Sequence, residues 1–240
     1  MITREQINDL SKFYKIDEFT IFREYLQLVV LSYIYQQKES KKLVFKGGTA
    51  LRLIHGSPRF SEDLDFSTTL KTSEIRKFVK LVEDKIKKEL PTLVFDEIYE
   101  GKEGLRLNVK YISEGLKFPL NLRLDFHIVS EVPNVERNTL QTRFPVLVFP
   151  TVFYLSKNEI LKEKFECIKT RFKGRDIFDI WYILATGENK LNLIDASYYI
   201  KKVESYDDNE LVRDLSKFLP VTQRTILPNL KKELINNLKN

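Results

Sequence analysis

The segment from Lys46 to Phe66 reads KGGTALRLIHGSPRFSEDLDF, and two of its features could do chemistry. The first is Gly47-Gly48-Thr49, an adjacent glycine pair directly after an apolar run in a chain with only eight glycines. A glycine turn that opens a helix presents unpaired backbone N–H groups and the positive end of the helix dipole, which together suit a phosphate chain. Lacking a Cβ, each glycine lets the backbone approach such a group and adopt positive φ. A lone Gly-Gly is equally a turn that solves a steric problem, and no Gly-x-x-x-x-Gly-Lys loop is present. The second feature is Asp63 and Asp65. On an extended strand they share one face while Leu64 and Phe66 take the other. Neighbouring carboxylates repel unless a cation lies between them, and oxygen donors of this kind suit Mg2+ or Mn2+. An exposed strand also carries such pairs as plain surface charge.

A third acid, Asp125, sits on the polar face of a later strand, flanked by Arg123 and His127. Three acids in one sheet can hold two ions, one activating an attacking hydroxyl and one gripping a leaving pyrophosphate. His127 is either a proton acceptor or a solvated strand histidine. Arg52 and Arg59 flank the region and could clamp phosphate as planar forks. Arg59, on a loop, is expected to have few structural duties. Lys164 lies within the apolar face of Ile160, Leu161, Phe165 and Ile168, so it must snorkel or meet an anion. A nucleotide phosphate is one such anion. Asp176 and Asp179 share a helix face, where Asp179 could pair with Arg175.

These residues need elements to position them. Phe22, Tyr25, Leu26, Val29, Val30, Tyr33 and Ile34 recur at helical spacing and predict a long amphipathic helix. Leu43 to Phe45 reads as a buried strand, Thr49 to His55 as a helix, and Ser73 to Leu90 as another, ended by Pro91. Period-two alternation over Leu105 to Tyr111 and Leu120 to His127 predicts two adjacent half-buried strands. From Ser156, with Glu159 the start of a capping box, the pattern is helical to Asn240, broken at Gly174, Pro220 and Pro228. Residues 1–150 thus read as an α/β half and 151–240 as a helical half completing the site.

GGTALRL, RFSEDLDF, RLDFH and EILKEKFECIKTRFKGRDIFDIWYI, in that order, resemble the AbiEii family of nucleotidyltransferase toxins, the toxin half of type IV toxin-antitoxin pairs, which includes the mycobacterial MenT toxins. The resemblance runs from Lys46 to Ile183. It implies an α+β fold, the DNA polymerase β-like nucleotidyltransferase mixed sheet with flanking helices, followed by a C-terminal helical region. It also implies magnesium-dependent transfer of a nucleoside monophosphate from an NTP, in some members to tRNA 3′ ends, and an antitoxin partner. By resemblance, Asp63, Asp65 and Asp125 are metal ligands, and Lys164 and Asp179 join them in catalysis. Gly47, Gly48, Thr49, Arg59, Ser61, Lys164 and Asp176 are placed at the nucleotide. Beyond Ile183 no family motif is matched.

At 240 residues, with 42% hydrophobic and 31% charged residues, the chain can bury a full core, and only its termini read as loose. The single cysteine, Cys167, permits no internal disulfide and fits a reducing cytosol. No long uncharged apolar stretch or signal core is seen, so the expected location is cytoplasmic, with no membrane partner. A net charge of +6 favours anionic partners. Two other readings are a nucleotide-binding module without turnover and an RNA-binding protein with incidental carboxylates. The presence of all three acids speaks against the first, and the dispersal of Lys and Arg along the chain against the second.

Overall fold

Strict alternation over Leu105 to Tyr111 and Leu120 to Phe126 builds two adjacent strands of the sheet, the second of which carries Asp125. The computed structural model describes residues 1–101, 103–112, 119–187 and 196–239. Among these, seven strands form one mixed sheet: β1 (Leu43–Lys46), β2 (Leu64–Thr68), β3 (Leu93–Gly101), β4 (Gly104–Tyr111), β5 (Leu120–Ile128), β6 (Val135–Thr139) and β7 (Thr151–Leu155). Their order is β3-β4-β5-β2-β1-β7-β6. β2 runs parallel to β5, and β1 parallel to β7. The other neighbours are antiparallel.

One face of the sheet is apolar. Phe45, Phe66, Phe126 and Leu105 lie in register across four strands, all buried. The Phe66 and Phe126 rings stack at 5.2 Å, and Phe45 meets Phe66 at 5.7 Å. Burial of such a ladder supplies most of the force that fixes register, because a one-residue slip would turn every phenyl ring to water.

The helices of the first unit are α1 (Arg4–Tyr14), α2 (Glu18–Tyr35), α3 (Gly47–Leu53) and α4 (Thr72–Ile86). α2 differs from the amphipathic helix expected. It is buried on nearly every side, from Thr20 through Ser32, so its polar residues Glu24 and Gln27 are buried too. The described residues near the two ends are helical rather than loose. Thr3 and Gln6 form a capping box that starts α1, and the final helix buries Leu230, Leu234 and Leu238.

The second part of the chain is helical: α5 (Lys157–Thr170), α6 (Gly174–Thr186), α7 (Ala196–Ser205), α8 (Asp208–Ser216), a 3-10 stretch Val221–Asn229 and α9 (Leu230–Lys239). The Ser156 hydroxyl accepts from the Glu159 N–H and caps α5. Pro220 precedes the 3-10 stretch and Pro228 lies inside it. The helical pattern expected over 188–195 and at Asn240 lies outside the described residues. Two compact units result. The first is Met1–Gly56 with Phe60–Leu155, and the second is Ser57–Arg59 with Ser156–Asn240. The short segment Ser57–Arg59 is thus embedded among the helices of the second unit. Among the described residues no helix is long and apolar enough to cross a membrane.

Candidate active site

The face opposite the phenylalanine ladder is charged. Arg106 of β4, Asp125 of β5, Asp65 of β2 and Lys46 of β1 are direct register partners, so they form one row across four strands. Asp63, just before β2, and Arg123 of β5 lie on the same face in the adjoining row, two residues before Asp65 and Asp125. Arg123 holds Asp63 with a two-pronged fork, Nε to Oδ1 at 2.9 Å and Nη2 to Oδ2 at 2.8 Å. Arg106 donates to Asp125 from across the antiparallel pair. His127 is exposed two residues further along β5.

Among the described residues no three His, Cys, Asp or Glu side chains are gathered into a group that could hold an ion as it stands. The donor chemistry nevertheless fits a hard divalent cation. Asp63, Asp65 and Asp125 offer only carboxylate oxygens on one sheet face, and Arg106 and Arg123, 44% and 45% exposed, can swing into solvent.

α3 begins at Gly47 itself rather than at Thr49. Gly47 has φ 75°, and a Cβ there would lie 2.3 Å from Asp65 Oδ2. The glycine therefore solves a steric problem, and what it makes room for is the carboxylate of the acid row. Gly48 and Thr49 are buried within the helix. The Thr49 hydroxyl donates to the Asp63 carbonyl, tying the turn to the acid strand. Gly47→Ala should cost about 1–2 kcal/mol for the left-handed backbone alone. That corresponds to a melting drop of roughly 2–8 °C for a chain of this size. Asp65 must also shift, so activity should fall more than stability. Parallel melting and pyrophosphate-release measurements check this, and an alanine variant unchanged in both would rule out the close approach.

α2 supports the segment leading to Asp63. Gln27 donates to the Ser61 carbonyl at 3.1 Å, and Arg23 to Glu62 at 3.2 Å. Glu24, 4% exposed, pairs with Arg52 of α3 at 2.9 Å. Burial raises the Glu24 pKa above the ordinary value despite that partner. The Arg52 guanidinium lies 3.7 Å from the centre of the Phe60 ring. Arg52 thus braces α3 against α2. These braces were not foreseen, because a glutamate and a glutamine inside a long apolar helix read from sequence as its wet face.

In the second unit, Arg59, Lys164, Asp176 and Asp179 form one buried network. Arg59 is 2% exposed and grips Asp179 bidentately, Nε to Oδ1 and Nη2 to Oδ2, both at 2.8 Å. Lys164 Nζ donates to Asp179 Oδ2 at 2.7 Å and to Asp176 Oδ1 at 2.9 Å. Burial alone would lower the Lys164 pKa, but Asp179 and then Asp176 outweigh it and raise it above the ordinary lysine value. Burial likewise works to raise the Asp179 pKa, and Arg59 and Lys164 overcome it, leaving the carboxyl below the usual aspartate value. One expectation changes, since Arg59 has a heavy structural duty; of the two alternatives open for Lys164, it meets an anion rather than snorkelling, and within the protein those anions are Asp179 and Asp176. The alternative pairing of Asp179 with Arg175 is also replaced: Asp179 is fully buried against Arg59, and the Arg175 guanidinium lies 5.3 Å from the centre of the Phe218 ring.

The family model described as nucleotidyl transferase AbiEii toxin of type IV toxin-antitoxin systems matches residues 29–229. The chain belongs to this family. Comparison with curated proteins gives no match. Among solved structures it is similar to JHP933 from Helicobacter pylori, 23% identical over 93% of this chain and 92% of that one, with a TM-score of 0.65. It is also similar to MenT4, a nucleotidyltransferase toxin from Mycobacterium tuberculosis H37Rv. That protein is 18% identical over 100% of this chain and 90% of that one, with a TM-score of 0.66. At such identities these likenesses establish the fold, and the expected α+β mixed sheet with flanking helices is the one observed.

Within this AbiEii chain the sequence candidates fall into two sets. Gly47, Gly48, Thr49, Ser61, Asp63, Asp65 and Asp125 belong to the sheet unit, and Arg59, Lys164, Asp176 and Asp179 to the helical unit. Arg106, Arg123, Gln27 and Glu24 join them as residues that hold or neutralise the candidate groups. A charged residue directly opposite an acid on a paired strand was the readable signal for Arg106.

Proposed function

We propose that this AbiEii protein is a divalent-ion-dependent nucleotidyltransferase that moves a nucleoside monophosphate from an NTP to the 3′-hydroxyl of a tRNA-sized RNA, as the toxin of a pair whose antitoxin restrains it. The observation that supports this most is the placement of Asp65 and Asp125 as register partners on adjacent parallel strands, with Asp63 on the same face. Asp63, Asp65 and Asp125 would hold Mg2+ or Mn2+, which when bound neutralises charge on the attacking hydroxyl and on the leaving pyrophosphate. The Gly47 to Thr49 turn and Ser61 stand at the triphosphate. The acceptor oxygen bonds to the α-phosphorus, the bond to the β-phosphate bridge breaks, pyrophosphate leaves and the hydroxyl proton is released. Positioning and electrostatics carry such a reaction, and no covalent protein intermediate is needed. Lys164, Asp176 and Asp179 contribute by fixing Arg59, four residues before Asp63 in the chain. The cytoplasm, where NTP and RNA meet, is the proposed place of action.

Radiolabelled NTP incubated with the protein and total RNA should label tRNA-sized molecules, with RNA binding that weakens as salt rises. Periodate destroys the terminal cis-diol of RNA, so oxidised RNA should take no label. Equal labelling of oxidised RNA, or label on protein alone, would overturn the 3′-end acceptor. Nucleotide bound without transfer would favour a binding module lacking turnover.

A further inference from the structure

The two arginines on the acid face have a job of their own. Lys46, Arg106 and Arg123 stand against Asp63, Asp65 and Asp125, so the two rows that hold the acids carry three charges of each sign and balance among themselves. Glu62, beside them, is matched by Arg23. Both oxygens of Asp63 are taken by the Arg123 fork, and Asp125 Oδ1 by Arg106. A divalent ion coordinated by those carboxylates competes for the same oxygens. Each oxygen keeps a second lone pair, but the like charges of ion and guanidinium oppose sharing one carboxylate, so ion binding at Asp63 favours an open fork. Both arginines are close to half exposed while their carboxylates are 20% and 26% exposed, so each guanidinium has water beside it into which it can move.

We propose that Arg123 and Arg106 are resident counter-cations of the carboxylate face, displaced when a divalent ion binds, and that the displaced forks then bind phosphate. The inference rests on the ion-dependent reading above. Its logic is a charge balance. One ion of charge +2 added to these balanced rows makes them cationic, and two guanidinium groups released at their rim are the donors best shaped for a phosphate's paired oxygens. These two rows therefore add no excess attraction for polyanions until the ion arrives. They gain that attraction in the same step that releases the forks. Ion loading and phosphate binding become coupled, each strengthening the other, as linkage requires. Phosphate could come from the NTP or from an RNA backbone, and the two sources are separable by experiment.

The test is Mn2+ binding followed by electron paramagnetic resonance, without nucleotide, for the wild type, Arg123→Met, Arg106→Met and the double variant Asp63→Asn/Asp65→Asn. Removing a competing ion pair of exposed strength should tighten Mn2+ binding roughly twofold to fivefold in each arginine variant. Arg123→Lys, which keeps the charge without the fork, should lie between. Melting curves confirm that the variants are folded. Mn2+ affinity unchanged or weakened in both methionine variants overturns the counter-cation role while leaving the proposed reaction standing. Wild-type affinity retained by the double aspartate variant overturns the ion site itself, and the inference with it. Fluorescence anisotropy with Mn2+ present then separates the phosphate sources. Weaker binding of a labelled RNA oligonucleotide, with a salt slope smaller by about 1 per arginine, assigns the forks to the backbone. Weaker binding of a labelled NTP assigns them to the triphosphate, and no change in either overturns the phosphate role.

Discussion

Asp65→Asn is expected to remove nucleotidyl transfer while leaving the protein folded. The exchange keeps the shape of the side chain beside Gly47 and deletes the one charge that sits in register between Lys46 and Asp125. Loss of a carboxylate ligand forfeits several kcal/mol of transition-state stabilisation, or on the order of a thousandfold in rate. Stability should hardly change, because relief of repulsion from Asp125 offsets loss of attraction to Lys46. Asp63→Asn should be equally inactive. It also loses the exposed Arg123 fork, worth about 0–1 kcal/mol. Mg2+-dependent pyrophosphate release and thermal melting, measured on the same preparations, decide the matter. Release within tenfold of wild type by either variant would sink the assignment of these acids.

The second large effect is on stability. Asp179→Ala leaves the nearly buried Arg59 without its fork partner and Lys164 with Asp176 as its remaining carboxylate. Breaking a buried pair in this way costs about 3–5 kcal/mol, a large share of the total for a domain. Arg59→Met/Asp179→Leu removes both members of the fork and should cost less than Asp179→Ala, because fewer buried charges remain uncompensated. The pH dependence has a definite sign. The folded pKa of Asp179 is depressed below 3.8, so its contribution is present above that value and lost as pH falls through the depressed one. The folded pKa of Lys164 is raised, so its contribution is full below 10.5 and lost as pH rises through the raised value. Urea midpoints should therefore be flat for both groups near neutrality, and the acid decline of the wild type should be shallower in Asp179→Ala. A double variant as unstable as the single one would argue against a network energy.

Much of the fold was legible because it is written in period two. β4 and β5 alternate cleanly between a buried and a charged face, and their pairing followed. Where a strand lies at an edge the alternation fails. β3 buries only Leu93 firmly, and β6 is exposed at every residue, so neither carries a periodic signal. α1 was missed although its signal was present: Thr3 and Gln6 have the spacing of a capping box. For the candidate site, the acids and the glycine turn stood out as residue types at fixed spacing. The partners of Arg59 and Lys164 did not, since Arg59 and Asp179 are 120 residues apart and only the folded chain brings them together. Nor could burial of Glu24 and Gln27 be read, because a helix enclosed on all sides has no polar face to mark.

The embedding of Ser57–Arg59 in the helical unit bears on how the chain is made. Synthesis runs from the N-terminus, so Arg59 leaves the ribosome 120 residues before its counter-charge. At about 5–20 residues per second, that is a delay of roughly 6–24 s. During that interval the segment just ahead of the acid strand carries a cation whose final niche does not yet exist. A nascent or truncated chain ending before Asp179 could pair its strands, but could not seat Arg59 as the finished protein does. Seating of Arg59 is then timed by completion of the distal helices.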